Sequence, residues 1–249
     1  MLLLHGLLSS RAAWRPLQRE LAGEVLTTAP DLLGYGAADR PGGEYCLESV
    51  VAHLLPLIER ERPTHVVGHS MGGIVALALA RELPGRFERI GVVGLPVFRD
   101  RRDGLDYLHR RGLLHRAILR TDCLSHYGCA ALHRLRHLWA PVSPILFSRQ
   151  PREVIVGAFN HCRASHAGSL DRIIFAGLVE ELAASVTTPV AALHGGRDHS
   201  APPARVSELA ARAGWDLTIA PTAGHQVVVE RPRLMARWLR ERVLAVDGA

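Results

Sequence analysis

The chain of 249 residues contains no lysine, so all 30 of its basic side chains are arginine. A GC-rich coding bias accounts for that, and it carries no mechanism. Other absences exclude more. No apolar stretch approaches the ~20 residues that a bilayer-spanning helix needs. The opening Met1-Leu2-Leu3-Leu4 is too short for the apolar core of a signal peptide and has no basic residue before it, so the reading is a cytoplasmic protein. Cysteine is scarce. Cys46, Cys123, Cys129 and Cys162 show no close paired spacing, which fits reduced thiols rather than a disulfide framework. There are no internal repeats and no low-complexity linker.

What remains is an ordinary globular composition, 48% hydrophobic and 22% charged, in a length that suits one domain with an insertion. The net charge is +6, and residues 97–186 hold +5 of it, with 13 Arg against 8 Asp and Glu. A basic surface there would attract an anionic ligand or an acidic carrier-protein partner. A solvated arginine-rich helical surface is the simpler account. No nucleic-acid-binding motif accompanies the charge, which argues against nucleic acid as a partner.

Strand and helix signals alternate through two stretches. Leu2-Leu3-Leu4-His5 reads as a buried strand ended by Gly6, followed by a helix from about Ala12 to Leu21 and a short strand near Val25-Leu26-Thr27. A turn-rich loop, Pro30 to Gly36, precedes a helix over Leu47 to Arg60 despite Pro56. Val66-Val67 reads as a strand, Ile74 to Leu83 as a helix and Ile90 to Val93 as a strand. Residues 97–186 look mostly helical, with no clear buried strand. The alternation resumes with a strand over Val190 to Leu193, a helix over Pro203 to Ala213, a strand over Leu217 to Ile219 and a helix over Arg233 to Val246. This pattern predicts a mostly parallel, doubly wound α/β sheet, with 1–96 and 187–249 as its core and 97–186 as a helical insertion, a lid.

One serine stands out. Ser70 lies in Gly68-His69-Ser70-Met71-Gly72-Gly73, directly after the Val66-Val67 strand. The spacing is that of a nucleophile elbow, a sharp strand-to-helix turn that lifts a serine hydroxyl clear of the backbone. The glycines leave room for that turn, and the Met71 amide at the helix start is placed to meet an oxyanion. A serine nucleophile needs a base, and the base an orienting acid. In an open α/β sheet such groups gather in loops at the carboxyl ends of strands. Asp198 follows the Val190–Leu193 strand and His225 follows the Leu217–Ile219 strand, in the chain order Ser, Asp, His. Asp100 is the rival acid, farther from its strand and inside an arginine cluster. The Leu7 amide, after Gly6, is the candidate second oxyanion donor. His5 is expected to brace that loop, His69 to play a supporting part, and His199 to be a loop residue.

Together these pieces resemble the α/β-hydrolase family. The resemblance rests on His5-Gly6-Leu7, Asp31-Leu32-Leu33-Gly34-Tyr35-Gly36, the Gly68–Gly73 elbow, Gly196-Arg197-Asp198 and Ala223-Gly224-His225, and it covers nearly the whole chain. It implies a sheet of about eight strands, a lid after the sixth, and acyl-enzyme chemistry. Serine at the elbow separates the chain from the branches that use aspartate there. Two family strands usually precede the His-Gly strand, which here begins at Leu2; either the sheet is shortened or the true start lies upstream, and an exposed sheet edge would favour a homodimer.

Cys123, Cys129, His133 and His137 are a candidate metal set, but zinc sites use tighter cysteine pairs. The reading is therefore metal-free and cofactor-free. The expected activity is hydrolysis of a small-molecule carboxylic ester or thioester with an apolar acyl group. Acyl transfer, C–C bond hydrolysis, release of a carrier-protein thioester, or a non-hydrolytic lyase, cyclase or ligand-binding role are the alternatives.

Overall fold

The computed structural model describes residues 1–39, 43–110, 151–158 and 160–245. Its sheet contains β1 (Leu2–Leu4), β2 (His65–His69), β3 (Arg89–Val93), β4 (Val190–Gly195) and β5 (Asp216–Ala220). The strands lie in that order and every pairing is parallel.

Successive side chains of a strand point to opposite faces, and the core divides accordingly. Leu2, Leu4, Val66, Ile90, Val92, Val190 and Ala192 belong to one buried cluster, and Leu3, Val67, Val93, Ala191 and Leu193 to another. The first is covered by α2 (Leu47–Glu61) through Leu54 and Ile58 and by α3 (Met71–Glu82) through Ile74 and Leu77. The second is covered by α1 (Arg15–Glu20) through Leu17, and by the last helix, Pro232–Arg242, through Met235, Trp238 and Leu239. Helices on both faces make a three-layer α/β sandwich. They also explain why the central strands are apolar on both sides.

The expected strand near Val25–Thr27 shrinks to a single parallel bridge between Leu2 and Thr28. Thr28 donates to Met1 O and accepts from Leu3 N, both at 2.9 Å, but Leu26 is 92% exposed, so nothing packs a longer strand onto the edge. The described sheet thus has five strands and one bridge, fewer than the resemblance implies. That bridge and β2 flank β1 on opposite sides, so the winding direction reverses at β1. In open α/β sheets ligands bind at such a switch point, here where the loops leave β1 and β2.

Helix ends follow the local chemistry. The expected helix over Ala12–Leu21 splits into a 3-10 turn (Arg11–Trp14) and α1, because Pro16 in the first turn of α1 has no N–H to continue a helix across it. In residues 97–186 the described elements are α4 (Arg101–His109), α5 (Arg152–Ala158), α6 (Arg163–Ser169), a π-turn over Leu170–Ile174 and α7 (Val179–Ser185). Among the described residues of that stretch there is no strand beyond an isolated bridge between His161 and Tyr35. Ile173, Phe175, Val179 and Leu182 join the core cluster under α2 and α3, whereas Val154 packs with Ala13 and Val229. The predicted helix Pro203–Ala213 is α8, started by Pro203 and stopped by Gly214 at φ 68°. The final helix, α10, spans Pro232–Arg242 rather than Arg233–Val246, and a short α9 (Val227–Glu230) precedes it, unforeseen because three consecutive valines read as strand.

Candidate active site

Ser70 is the single residue between the end of β2 and the start of α3, at φ 53° and ψ −120°, a conformation costly for any side chain. Two backbone hydrogen bonds hold it there: Ser70 N donates to Val93 O, and Gly73 N donates to Ser70 O, each at 2.8 Å. The flanking glycines are a packing requirement. A Cβ on Gly68 would lie 2.0 Å from Gly72 O, and one on Gly72 would lie 2.3 Å from Leu4 O. Helix α3 therefore starts hard against both its own strand and β1.

The loops after β4 and β5 are joined by backbone hydrogen bonds. Gly196 N donates to Ala220 O at 2.8 Å and Arg197 N to Ala223 O at 3.0 Å, and a Cβ on Gly195 would lie 2.5 Å from Ala223 O. This contact sets Asp198 beneath His225. His225 Nδ1 lies 2.8 Å from Asp198 Oδ2, and His225 Nε2 lies 3.1 Å from Ser70 Oγ. The other carboxylate oxygen, Oδ1, accepts from Ser200 N at 2.8 Å and from Ala201 N at 2.9 Å. Burial pushes the Asp198 carboxyl up, but the His225 ring beside it and these hydrogen bonds outweigh burial and leave it lowered, hence ionised.

Leu7 follows Gly6, which passes so close to the elbow that a Cβ on Gly6 would lie 3.1 Å from Ser70 Cβ. Met71 is the first residue of α3. His5 braces this loop as expected. Leu32 N donates to His5 Nε2 at 3.0 Å, so the ring proton sits on Nδ1, which faces Gly6 O at 2.8 Å. Full burial, only partly offset by the Gly6 carbonyl and Asp31, lowers its pKa to about 4. Asp31 anchors the next layer, accepting from Arg11 N and Ala37 N at 2.8 and 2.9 Å. His69 lies behind the site. Its Nε2 donates to the His225 carbonyl at 2.8 Å, and the two rings are 4.9 Å apart. Burial, followed by the neighbouring His225, lowers its pKa to about 3.

The rival residues are elsewhere. Asp100 is the N-cap of α4, where its side chain accepts from Asp103 N at 2.8 Å. His199 is exposed. Cys123, Cys129, His133 and His137 lie outside the described residues. Among the described residues, no group of three or more His, Cys, Asp or Glu side chains could hold a metal ion. No helix among them is long and apolar enough to cross a membrane. One close neighbour of the site escaped the sequence reading. His194, buried at the end of β4, lies 3.5 Å from Asp198 Oδ2. An inward position on a buried strand was its only signal.

The five-stranded parallel sheet, the elbow at the switch point and the Ser-His-Asp hydrogen-bond chain are the features of an α/β-hydrolase. Residues 1–238 match the alpha/beta hydrolase family, and the chain belongs to it. The 2-hydroxy-6-oxo-2,4-heptadienoate hydrolase of Pseudomonas putida is 38% identical over 114 residues, 43% of this chain and 41% of that protein. Lipase LipV of Mycobacterium tuberculosis is 29% identical over 162 residues, 64% of this chain and 59% of that protein. Curated relatives are matched over 28% to 59% of their own lengths. Among solved structures, E-2-(acetamidomethylene)succinate hydrolase superposes with a TM-score of 0.73 at 20% identity, covering 98% of this chain and 91% of that one.

Proposed function

We propose that the protein is a serine hydrolase that cleaves a carboxylic ester or thioester with a mainly apolar acyl group. The observation that carries this is the continuous hydrogen-bond chain from Ser70 Oγ through His225 to Asp198. Its geometry supports a definite sequence of events. His225 Nε2 takes the Ser70 proton as Oγ attacks the carbonyl carbon, and Asp198 stabilises the imidazolium that forms. The Leu7 and Met71 amides hold the negative oxygen of the tetrahedral intermediate. His225 then returns the proton to the leaving alcohol or thiol. A water deprotonated by His225 releases the acid and restores Ser70. Two stretches of the loops leaving β1 and β3, Leu7-Leu8 and Leu95-Pro96-Val97-Phe98, are apolar, which supports an apolar acyl group. Of residues 97–186, proposed as a lid, the stretch from Leu170 to Ser185 rests on the core, and 111–150 lie outside the described residues.

Wild-type protein should form a covalent adduct with a fluorophosphonate at Ser70 and hydrolyse short p-nitrophenyl esters. Ser70→Ala should lose the adduct and at least a thousandfold of the turnover. Ester turnover unchanged in Ser70→Ala would overturn the assignment.

Carbon–carbon bond hydrolysis is a second reading of the same triad. It is favoured by two relatives, the P. putida hydrolase and a 2-hydroxymuconate semialdehyde hydrolase of Pseudomonas that is 36% identical over 101 residues. Turnover of a 2-hydroxy-6-oxo-dienoate with none of the p-nitrophenyl esters would select it.

A further inference from the structure

We propose that His194 is a positioning residue for Asp198: a single N–H at its Nε2 steadies both the carboxylate and the loop that carries it. The inference rests on the triad assignment above and assigns a part to a residue outside it.

His194 is the second-last residue of β4, and its side chain is fully buried. Nε2 lies 3.2 Å from Ala201 O and 3.5 Å from Asp198 Oδ2. Both of those oxygens can only accept, since Asp198 is ionised. The nitrogen between them must therefore carry the hydrogen. On the other side of the ring, Nδ1 is buried with no hydrogen-bond partner among the described residues. A proton there would have no acceptor, which fixes the ring as the neutral tautomer with hydrogen on Nε2. Burial acts in the same direction and lowers the pKa of His194, against the opposing pull of Asp198 and the Ala201 carbonyl.

An unpaired buried nitrogen is costly, and an apolar side chain would fill the same space without it. The N–H is what the histidine contributes. Ala201 is gripped from both ends: its own N–H donates to Asp198 Oδ1 at 2.9 Å, and its carbonyl accepts from His194. Asp198 Oδ2 meanwhile faces two N–H groups, one from His225 and one from His194. The second draws negative charge off the oxygen that polarises His225. The other titratable groups near are His69 on β2, tilted against His225, and His5 just after β1, and burial keeps both neutral. His225 is thus the ring in this cluster whose charge changes during the reaction, and His194 sets the partner it sees.

The test uses the rate of Ser70 inactivation by a fluorophosphonate, measured from pH 5 to 9. Glutamine carries an amide N–H about as far as Nε2, whereas asparagine reaches only to the Nδ1 position and phenylalanine carries none. His194→Asn and His194→Phe should each move the acid limb of the profile up by about half a pH unit, because a less neutralised Asp198 favours the protonated His225. His194→Gln should leave the limb where the wild type has it. Limbs that coincide in all the variants, or that move equally in the Gln and Asn variants, overturn the proposal. Imidazole 15N shifts of the wild type provide a check that needs no variant: the His194 ring should read as neutral, with hydrogen on Nε2, throughout this range, and hydrogen on Nδ1 overturns the proposal. Absence of any Ser70 adduct in the wild type instead refutes the triad assignment, and the 15N tautomer still decides the geometry at His194.

Discussion

At the scale of single residues, Gly72 in the elbow and Gly85 beyond the far end of α3 show two different reasons for a glycine. Gly72 has no room, with Leu4 O only 2.3 Å from where a Cβ would sit; Gly85 has open space but a left-handed backbone at φ 77°. Gly72→Ala should therefore destabilise the fold by about 3 kcal/mol or more, because backbone must move. Gly85→Ala should cost only about 1 kcal/mol, the penalty of its conformation. Urea unfolding of the two variants checks this, and equal midpoint shifts would contradict the close approach of α3 to β1. The same scale shows why the candidate triad was legible in the sequence. Ser70, Asp198 and His225 each lie within a few residues of an apolar run, and a parallel sheet brings the ends of such runs together. Asp100 also follows a strand, and its position as N-cap of α4 emerged only with the helix. His194 was illegible because its meaning depends on a loop that folds back over it, and no local pattern encodes that return.

At the scale of elements, α8 clamps the chain where it leaves β3. Arg205 of α8 makes a two-pronged contact with Asp103 of α4, donates to Val97 O at 3.1 Å, and lies 5.8 Å from the Phe98 ring centre. Asp103 is held ionised by that contact, its carboxyl pulled below the usual range chiefly by the Arg205 hydrogen bonds. Arg205→Lys keeps the charge and loses the fork, so the loop from Val97 to Asp103 should open more often. Trypsin, which has arginines 99, 101 and 102 to cut there, should cleave Arg205→Lys several-fold faster than wild type; identical digestion would show that the clamp carries no load. Element boundaries were readable wherever Pro or Gly punctuates the chain, as at Pro203 and Gly214. They failed where propensity and context diverge. The valines of α9 favour strand but are wound into helix after the His225 loop. The Val25–Thr27 run has strand composition but lacks a partner surface for Leu26.

At the scale of the whole molecule, His5 and His69 make stability depend on pH. Both are fully buried, and their pKa values are lowered from 6.5 to about 4 and about 3, in each case mainly by burial. In the unfolded chain each takes up a proton near pH 6.5, whereas in the folded chain it does so only far lower. The unfolded state thus binds more protons across that window, and stability falls as pH drops from about 6.5 toward 4. Each histidine contributes about 1.4 kcal/mol per pH unit there, so the two together should lower the unfolding free energy by about 4 kcal/mol between pH 8 and pH 5. Urea midpoints at the two pH values measure it, and His5→Gln should remove about half of the difference. The layered core that imposes this burial was foreseeable from the apolar strands, but the depth of each histidine was not.

The strands lie side by side in the order in which they occur along the chain, and this has a consequence for synthesis. Ser70 and the side chain that hydrogen-bonds it are 155 residues apart, and His225 follows β5, the last strand of the sheet. At 5–20 residues per second, a nascent chain carries its serine for roughly 8 to 30 s before the histidine has been added. Under the proposed mechanism the hydroxyl is thus made without the group that would awaken it, and the growing chain cannot spend the proposed nucleophile before the sheet that governs it is complete.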